Sequence, residues 1–210
     1  VKESLRIYDN EIIKYIDSFK HLTYIGGDLV ISSNDALLDI NSFSNIIVLN
    51  GDLVIHTNLS LINTSGFKNL KKINGDFAID ATKSLTNLDC FTNLNVIGKE
   101  LRITENRVLT NIDGLKNLSY IGYFLEIRQN QLLSNVDGLS NMHTMHGNIS
   151  IEENSNLTSV TGFKNLNSIK GYFYLGFNNS LTNINGLNNI DTIEGDIWIK
   201  NNNSLVNLDG

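Results

Sequence analysis

The residues with chemistry to offer in this chain are its acids, histidines, single cysteine and aromatics, and their spacing decides what they could do. Asp28, Asp52, Asp76 and Glu100 recur at 24-residue intervals, as do Asp89, Asp113 and Asp137. If residues 24 apart stand above one another, each set is a row of like charges at strand spacing, which repels unless something answers it. A bound Ca2+ is one answer, which makes Asp28, Asp52, Asp76 and Glu100 a candidate cation row. Backbone donors in the neighbouring bend are the other, and the preferred one.

Met142-His143-Thr144-Met145-His146 has the composition of a soft-metal cluster. The same register, however, puts both methionines on apolar places and leaves two neighbouring outward histidines, so no metal is expected. Cys90 stands alone, which excludes an internal disulfide and a multi-cysteine zinc site, at a place where most repeats carry a small residue. No phosphate-loop, zinc-protease, calcium-loop or nucleophile-elbow pattern occurs. The chain therefore reads as non-enzymatic and without a cofactor.

Phe124, Tyr172, Tyr174, Phe177 and Trp198 gather toward the C-terminal end of one outward face. Clustered exposed aromatics point to contact with a protein, a sugar or another subunit, although aromatics also suit a parallel sheet. On the same face Arg102 lies one period from Glu126, and Arg128 one period from Glu152. Both are expected as cross-coil ion pairs, worth little each when exposed but useful in fixing register.

These residues are positioned by a tandem array. Phe19, Phe43, Phe67, Phe91, Leu115, Leu139, Phe163 and Leu187 follow one another every 24 residues without insertion or deletion, and each is taken here as place 1 of its repeat. Residues 1–18 fit the same template as a partial repeat, and the uninterrupted period argues for one elongated unit over residues 1–210. Places 1, 4, 7, 11, 13, 19 and 22 are apolar. Places 11 and 13 alternate with polar neighbours, the period-2 pattern of a strand with one buried face, and stacked coils must pair such strands in parallel.

Glycine and Asn-Gly at places 8 and 9, and Asp-Gly at places 23 and 24, predict two bends. Places 1 to 7 could be extended or a single helical turn. Place 16 is Asn34, Asn58, Asn106, Asn130, Asn154, Asn178 and Asn202, with Thr82 the exception. An amide there can donate and accept between successive coils, which predicts a structural column. The chain opens inside a partial repeat and ends on a repeat boundary without a polar cap, so it is expected either to be an excerpt or to have its ends covered, with stacking of copies end to end as one outcome.

A net charge of -6 with Lys and Arg scattered singly argues against a nucleic-acid partner. No apolar run is long enough for a membrane helix. Among 33 asparagines, Asn58, Asn63, Asn117, Asn148, Asn156, Asn178 and Asn202 are sequons and hence candidate N-glycosylation sites, close to the roughly five that chance would give.

The repeat Phe-Lys-Asn-Leu-x-x-Ile-x-Gly-Asp-Leu-x-Ile-x-x-Asn-x-x-Leu-Thr-Asn-Ile-x-Gly resembles the receptor L-domain-like branch of the leucine-rich repeats. That family includes ligand-binding domains of insulin- and epidermal-growth-factor-type receptors, fungal cell-wall proteins and microbial surface arrays. The cysteine-rich modules of the receptors are missing, so hormone binding is not carried over, and the regular microbial arrays look closer. The resemblance implies a mainly β, right-handed parallel solenoid, outside the cell and without catalysis. The expected function is adhesion, surface coating or scaffolding, extracellular or at the cell surface, with a protein or carbohydrate partner. The alternative is an intracellular leucine-rich-repeat module that grips one protein.

Overall fold

In the computed structural model, which describes residues 1–209, the chain is mainly β and forms parallel coils of 24 residues. The long sheet has nine strands: β1 (Leu5–Tyr8), β2 (Leu29–Ser32), β3 (Leu53–His56), β4 (Phe77–Asp80), β5 (Glu100–Thr104), β6 (Phe124–Arg128), β7 (Asn148–Glu152), β8 (Phe173–Gly176) and β9 (Ile197–Lys200). They pair in chain order, each residue beside its equivalent one repeat away, so that Ile7, Ile31, Ile55 and Ile79 form a vertical file. Ile31, Ile55 and Ile79 are wholly buried, as the period-2 pattern requires.

The segment over places 1 to 7 is partly helical and partly extended. A 3-10 turn such as Asp113–Leu115 runs into place 1, and a two-residue strand such as Tyr120–Ile121 occupies places 6 and 7. Those short strands build two further parallel sheets. No α-helix occurs among the described residues, and no helix is long and apolar enough to cross a membrane. The core lies between the faces. Phe19, Phe43, Phe67 and Phe91 stack with ring centroids 5.8, 5.7 and 5.7 Å apart and nearly parallel planes, while Met142 and Met145 sit in the core as their places predict.

Three asparagine columns hold the bends, two of them by bonds from coil to coil and one by bonds within each coil. At place 16 the backbone N–H of one coil donates to the Oδ1 of the next, as Asn106 does to Asn130 at 3.1 Å and Asn130 to Asn154 at 3.0 Å. The Nδ2 of each donates back to the place 13 carbonyl of the preceding coil, as Asn130 does to Ile103 at 2.7 Å. At place 21, Asn87, Asn111 and Asn135 accept the N–H two residues on and set up the 3-10 turn. At place 3, Asn69, Asn93 and Asn165 donate to a carbonyl 25 residues earlier. The abundance of asparagine thus has a structural use: these amides satisfy backbone groups at bends that no strand ladder reaches.

The sharpest bend is not where glycine predicted it. Place 15, held by Asp9, Ser33, Thr57, Ala81, Glu105, Gln129, Glu153, Phe177 and Asn201, is left-handed in every coil, with φ between 49° and 58°, whereas no described glycine has positive φ. In every coil that has a successor this N–H joins the sheet ladder, as Ser33 does to the His56 carbonyl at 3.0 Å, whatever the side chain. Glycine serves close approach instead. A Cβ on Gly114, Gly138, Gly162 or Gly186 at place 24 would fall within 2 Å of a carbonyl of the preceding coil.

Candidate functional site

The outward face of the long sheet is written by places 10, 12 and 14. On β1 to β4, place 12 presents Arg6, Val30, Val54 and Ala78. Beside them runs the acid row. The Oδ1 of Asp28 accepts the Asp52 N–H at 3.1 Å, that of Asp52 the Asp76 N–H at 2.8 Å, and that of Asp76 the Glu100 N–H at 3.1 Å. Gly51 and Gly75 leave room for these carboxylates, since a Cβ there would lie 2.4 and 2.0 Å from the Asp28 and Asp52 oxygens. Backbone donors therefore answer the row. No group of His, Cys, Asp and Glu among the described residues is arranged to hold a metal ion. Asn148 repeats the device, accepting the Tyr172 N–H at 2.9 Å.

The adjacent column at place 14 holds a hydrogen-bond chain that spacing did not reveal. Asp80 Oδ2 lies 2.8 Å from His56 Nδ1, and His56 Nε2 lies 2.8 Å from Thr57 Oγ1, while Thr104 donates to the other Asp80 oxygen at 2.8 Å. His56 and Asp80 are paired neighbours in the sheet, and the order carboxylate, imidazole, hydroxyl is that of a nucleophile and its base. Here it lies on an open face, and the left-handed φ of 49° at Thr57 is the one every coil has at that place.

Strands β5 to β7 are charged. Arg102 reaches Glu126 at 3.8 Å and also meets Glu100; Arg128 reaches Glu152 at 3.6 Å and Glu153 at 3.0 Å. Both expected cross-coil pairs are thus formed. Four carboxylates share two guanidiniums. Burial raises the Glu126 pKa, with Arg102 and Arg128 pulling the other way.

Strands β8 and β9 and their flanks carry the aromatics. Tyr172 meets Trp198 edge to face with centroids 5.6 Å apart and Phe124 at 6.3 Å. Tyr172, Tyr174 and Trp198, with Ser150 and Glu152, line an open dent of about 420 Å³. Trp198 is 45% exposed. Lys200 lies over Tyr174 and Phe177, its Nζ 5.2 and 5.5 Å from the ring centroids. Burial, followed by Glu126 and Glu152, raises the Tyr172 pKa. The five aromatics named from the sequence form one connected surface, with Lys200 as a member that residue type alone did not suggest.

Residues 23–84 match the Receptor L domain family. The chain is receptor L-domain-like. The matched stretch takes in β2 to β4, and the same places recur in register in the following coils of this receptor L-domain-like array. No curated protein and no solved structure matches the chain. The family describes a receptor-like ligand-binding domain, typically non-enzymatic and generally extracellular, whose partners are proteins.

The structure places the sequons unequally. Asn58 and Asn178 are wholly buried in the place 16 column, their Nδ2 atoms donating to Ile31 and Ile151 carbonyls, and Asn202 donates likewise to Leu175. A glycan on those nitrogens is incompatible with the column, which corrects the expectation for these three. Asn148 is half-buried, while Asn63, Asn117 and Asn156 are exposed. Cys90 donates to or accepts from Thr64 Oγ1 at 3.0 Å, and burial pushes its thiol up to about 12, so it is a packed small residue with little thiolate near neutral pH.

Proposed function

We propose that the chain is a non-catalytic binding array of the extracellular space or cell surface, serving adhesion or coating, and that it engages its partner through the C-terminal half of the outward sheet face. The observation that carries this reading is the change of that face along the array. Its interior and its turns are constant, yet Phe124, Tyr172, Tyr174, Phe177 and Trp198 collect on one end as a partly exposed aromatic surface beside an excess of carboxylates. Such surfaces mark contact sites. The test is association of the chain with cell-surface material, measured for the parent and for a Tyr174→Ala, Trp198→Ala double variant. At least a tenfold weakening is expected from removing two anchor rings. Undiminished association would remove the patch from the proposal.

Glycans at Asn63, Asn117 or Asn156 on native material, read by mass spectrometry, would support the compartment, and unmodified asparagine at all three would count against it. End-to-end association belongs to the same reading. The apolar places of the last coil, among them Ile193, Ile197, Ile199 and Leu208, line a hollow of about 380 Å³. The first coil offers the partly buried Leu5, Ile7 and Ile13 on apolar places of the same template, so one copy can stack on another in register. A concentration-dependent ladder of oligomers in sedimentation velocity is expected; a single monomer species throughout would exclude it.

A further inference from the structure

We propose that the Tyr172–Tyr174–Trp198 dent receives a cationic side chain, Lys or Arg, from a basic segment of a protein partner. This rests on the reading above and names the chemistry of its ligand. Three features point to a cation. The dent is walled by three aromatic rings, whose faces attract a desolvated positive charge, and one wall is the Glu152 carboxylate. The chain already shows the preference within itself, because Lys200 sits over Tyr174 and Phe177. That leaves Tyr172 and Trp198 as the rings of the dent without a lysine over them among the described residues.

The third feature is the charge of the surroundings. Glu100, Glu126, Glu152 and Glu153 share only Arg102 and Arg128, so the strip beside the rings carries two negative charges more than positive ones. After burial, the Glu126 and Glu152 carboxylates are the next causes that raise the Tyr172 pKa, so this ring of the dent lies in a negative field. A basic segment lying along the face crosses coils spaced by about 4.8 Å, so successive cations can meet first the dent and then the acids of β6 and β7. A neutral saccharide would use the ring faces and donate hydroxyl hydrogen bonds to the carboxylates but would bring no charge to offset theirs.

Trp198 is the sole tryptophan of the chain, so its emission reports this dent alone. The 210-residue chain is titrated with an acetylated (Gly-Arg)4 amide and with its Gly-Gln counterpart. Expected are a saturable change in Trp198 emission with the arginine peptide, binding at least tenfold tighter than the glutamine peptide, and weakening as salt is raised. Glu152→Gln should loosen the arginine peptide several-fold. Lys200→Gln should tighten it, because it removes the competing internal cation. Unchanged melting curves confirm that each variant is folded. Equal binding of both peptides, or insensitivity to both Glu152→Gln and Lys200→Gln, would overturn the cationic occupant. Saturation of Trp198 by a cello- or chito-hexaose but not by the arginine peptide would also overturn it while leaving the aromatic patch as the contact surface. Silence of Trp198 to every probe, together with full surface association of the Tyr174→Ala, Trp198→Ala variant, would overturn both readings.

Discussion

Strands β1 to β4 and strands β5 to β9 align the same columns, which β2 to β8 bury, and differ in the chemistry of the outward face. Inside, Leu53 and Ile55 of the first group and Ile149 and Ile151 of the second are equally hidden and paired in the same register. Outside, Val30, Val54 and Ala78 give way to Arg102, Glu126, Tyr174 and Trp198 at the same place 12. Side chains at place 12 fill no part of the core, so the stacking physics leaves them free to differ. The positions that vary are those the fold does not need, and they carry the binding chemistry. Constancy inside is therefore the control against which the outer face is judged.

The largest expected effect tests that constancy. At place 24 a Cβ on Gly138 would lie 1.9 Å from the Ile112 carbonyl, and one on Gly66 would lie 2.6 Å from that of Ile40. Backbone cannot yield as a flexible side chain does. Gly138→Val and Gly66→Val should each cost about 3 kcal/mol in urea denaturation, the first more than the second. A benign Gly138→Val would mean that the coils of the second group are not packed as tightly as those of the first. Ser42 and Cys90 occupy the same place, showing that small side chains are accommodated where the neighbouring coil gives way.

A smaller effect is centred on a break in an interior polar column. Thr82 follows β4 and interrupts the place 16 column: its hydroxyl and its N–H both reach Asn106 Oδ1, at 2.6 and 3.1 Å, but it has no amide for the preceding coil. Thr82→Asn would supply a donor to the Ile55 carbonyl and an acceptor for the Asn58 N–H, raising stability by about 1 kcal/mol. Asn130→Ala, in the intact part of the column, should cost about 2 kcal/mol, because it strands the buried Asn106 N–H and loses the bond to the Ile103 carbonyl. Equal and negligible changes in both variants would show that the column follows the stack rather than supporting it.

The residues of this column and of the apolar files were legible because identity recurs where geometry demands one chemistry. An amide carries its donor and its acceptor on separate atoms, which place 16 uses at once, and an apolar side chain suits places 11 and 13. The left-handed turn at place 15 was not legible. Its residues range from Asp9 through Thr57 and Ala81 to Phe177, since the backbone ladder imposes the conformation and no side chain is selected for it. The His56–Asp80 contact and the placement of Lys200 over two rings were missed for a related reason: each depends on a rotamer choice across coils, which register permits but does not dictate. The aromatic patch lay between these cases. Register brought its members together, and coordinates were needed to show that Tyr172 bridges Phe124 and Trp198.

The smallest effect belongs to the outer face itself. Burial raises the Glu126 carboxyl above its ordinary value near 4.5, with Arg102 and Arg128 only partly opposing. A raised carboxyl holds its proton in the fold at pH values where the unfolded chain has released it. The stability contributed by Glu126 therefore falls as pH rises through the window above about 4.5, and the cost is fully present above the folded pKa. Glu126→Gln removes the cost and forfeits the 3.8 Å contact with Arg102, whose guanidinium is half exposed and whose pairing is accordingly weak. The urea midpoint should rise slightly at pH 7 and become flatter with pH in the window above about 4.5. A lower midpoint at pH 7 would show that Arg102 contributes more than burial takes away, so that the charged strip of β5 to β7 supports the stack as well as facing a partner.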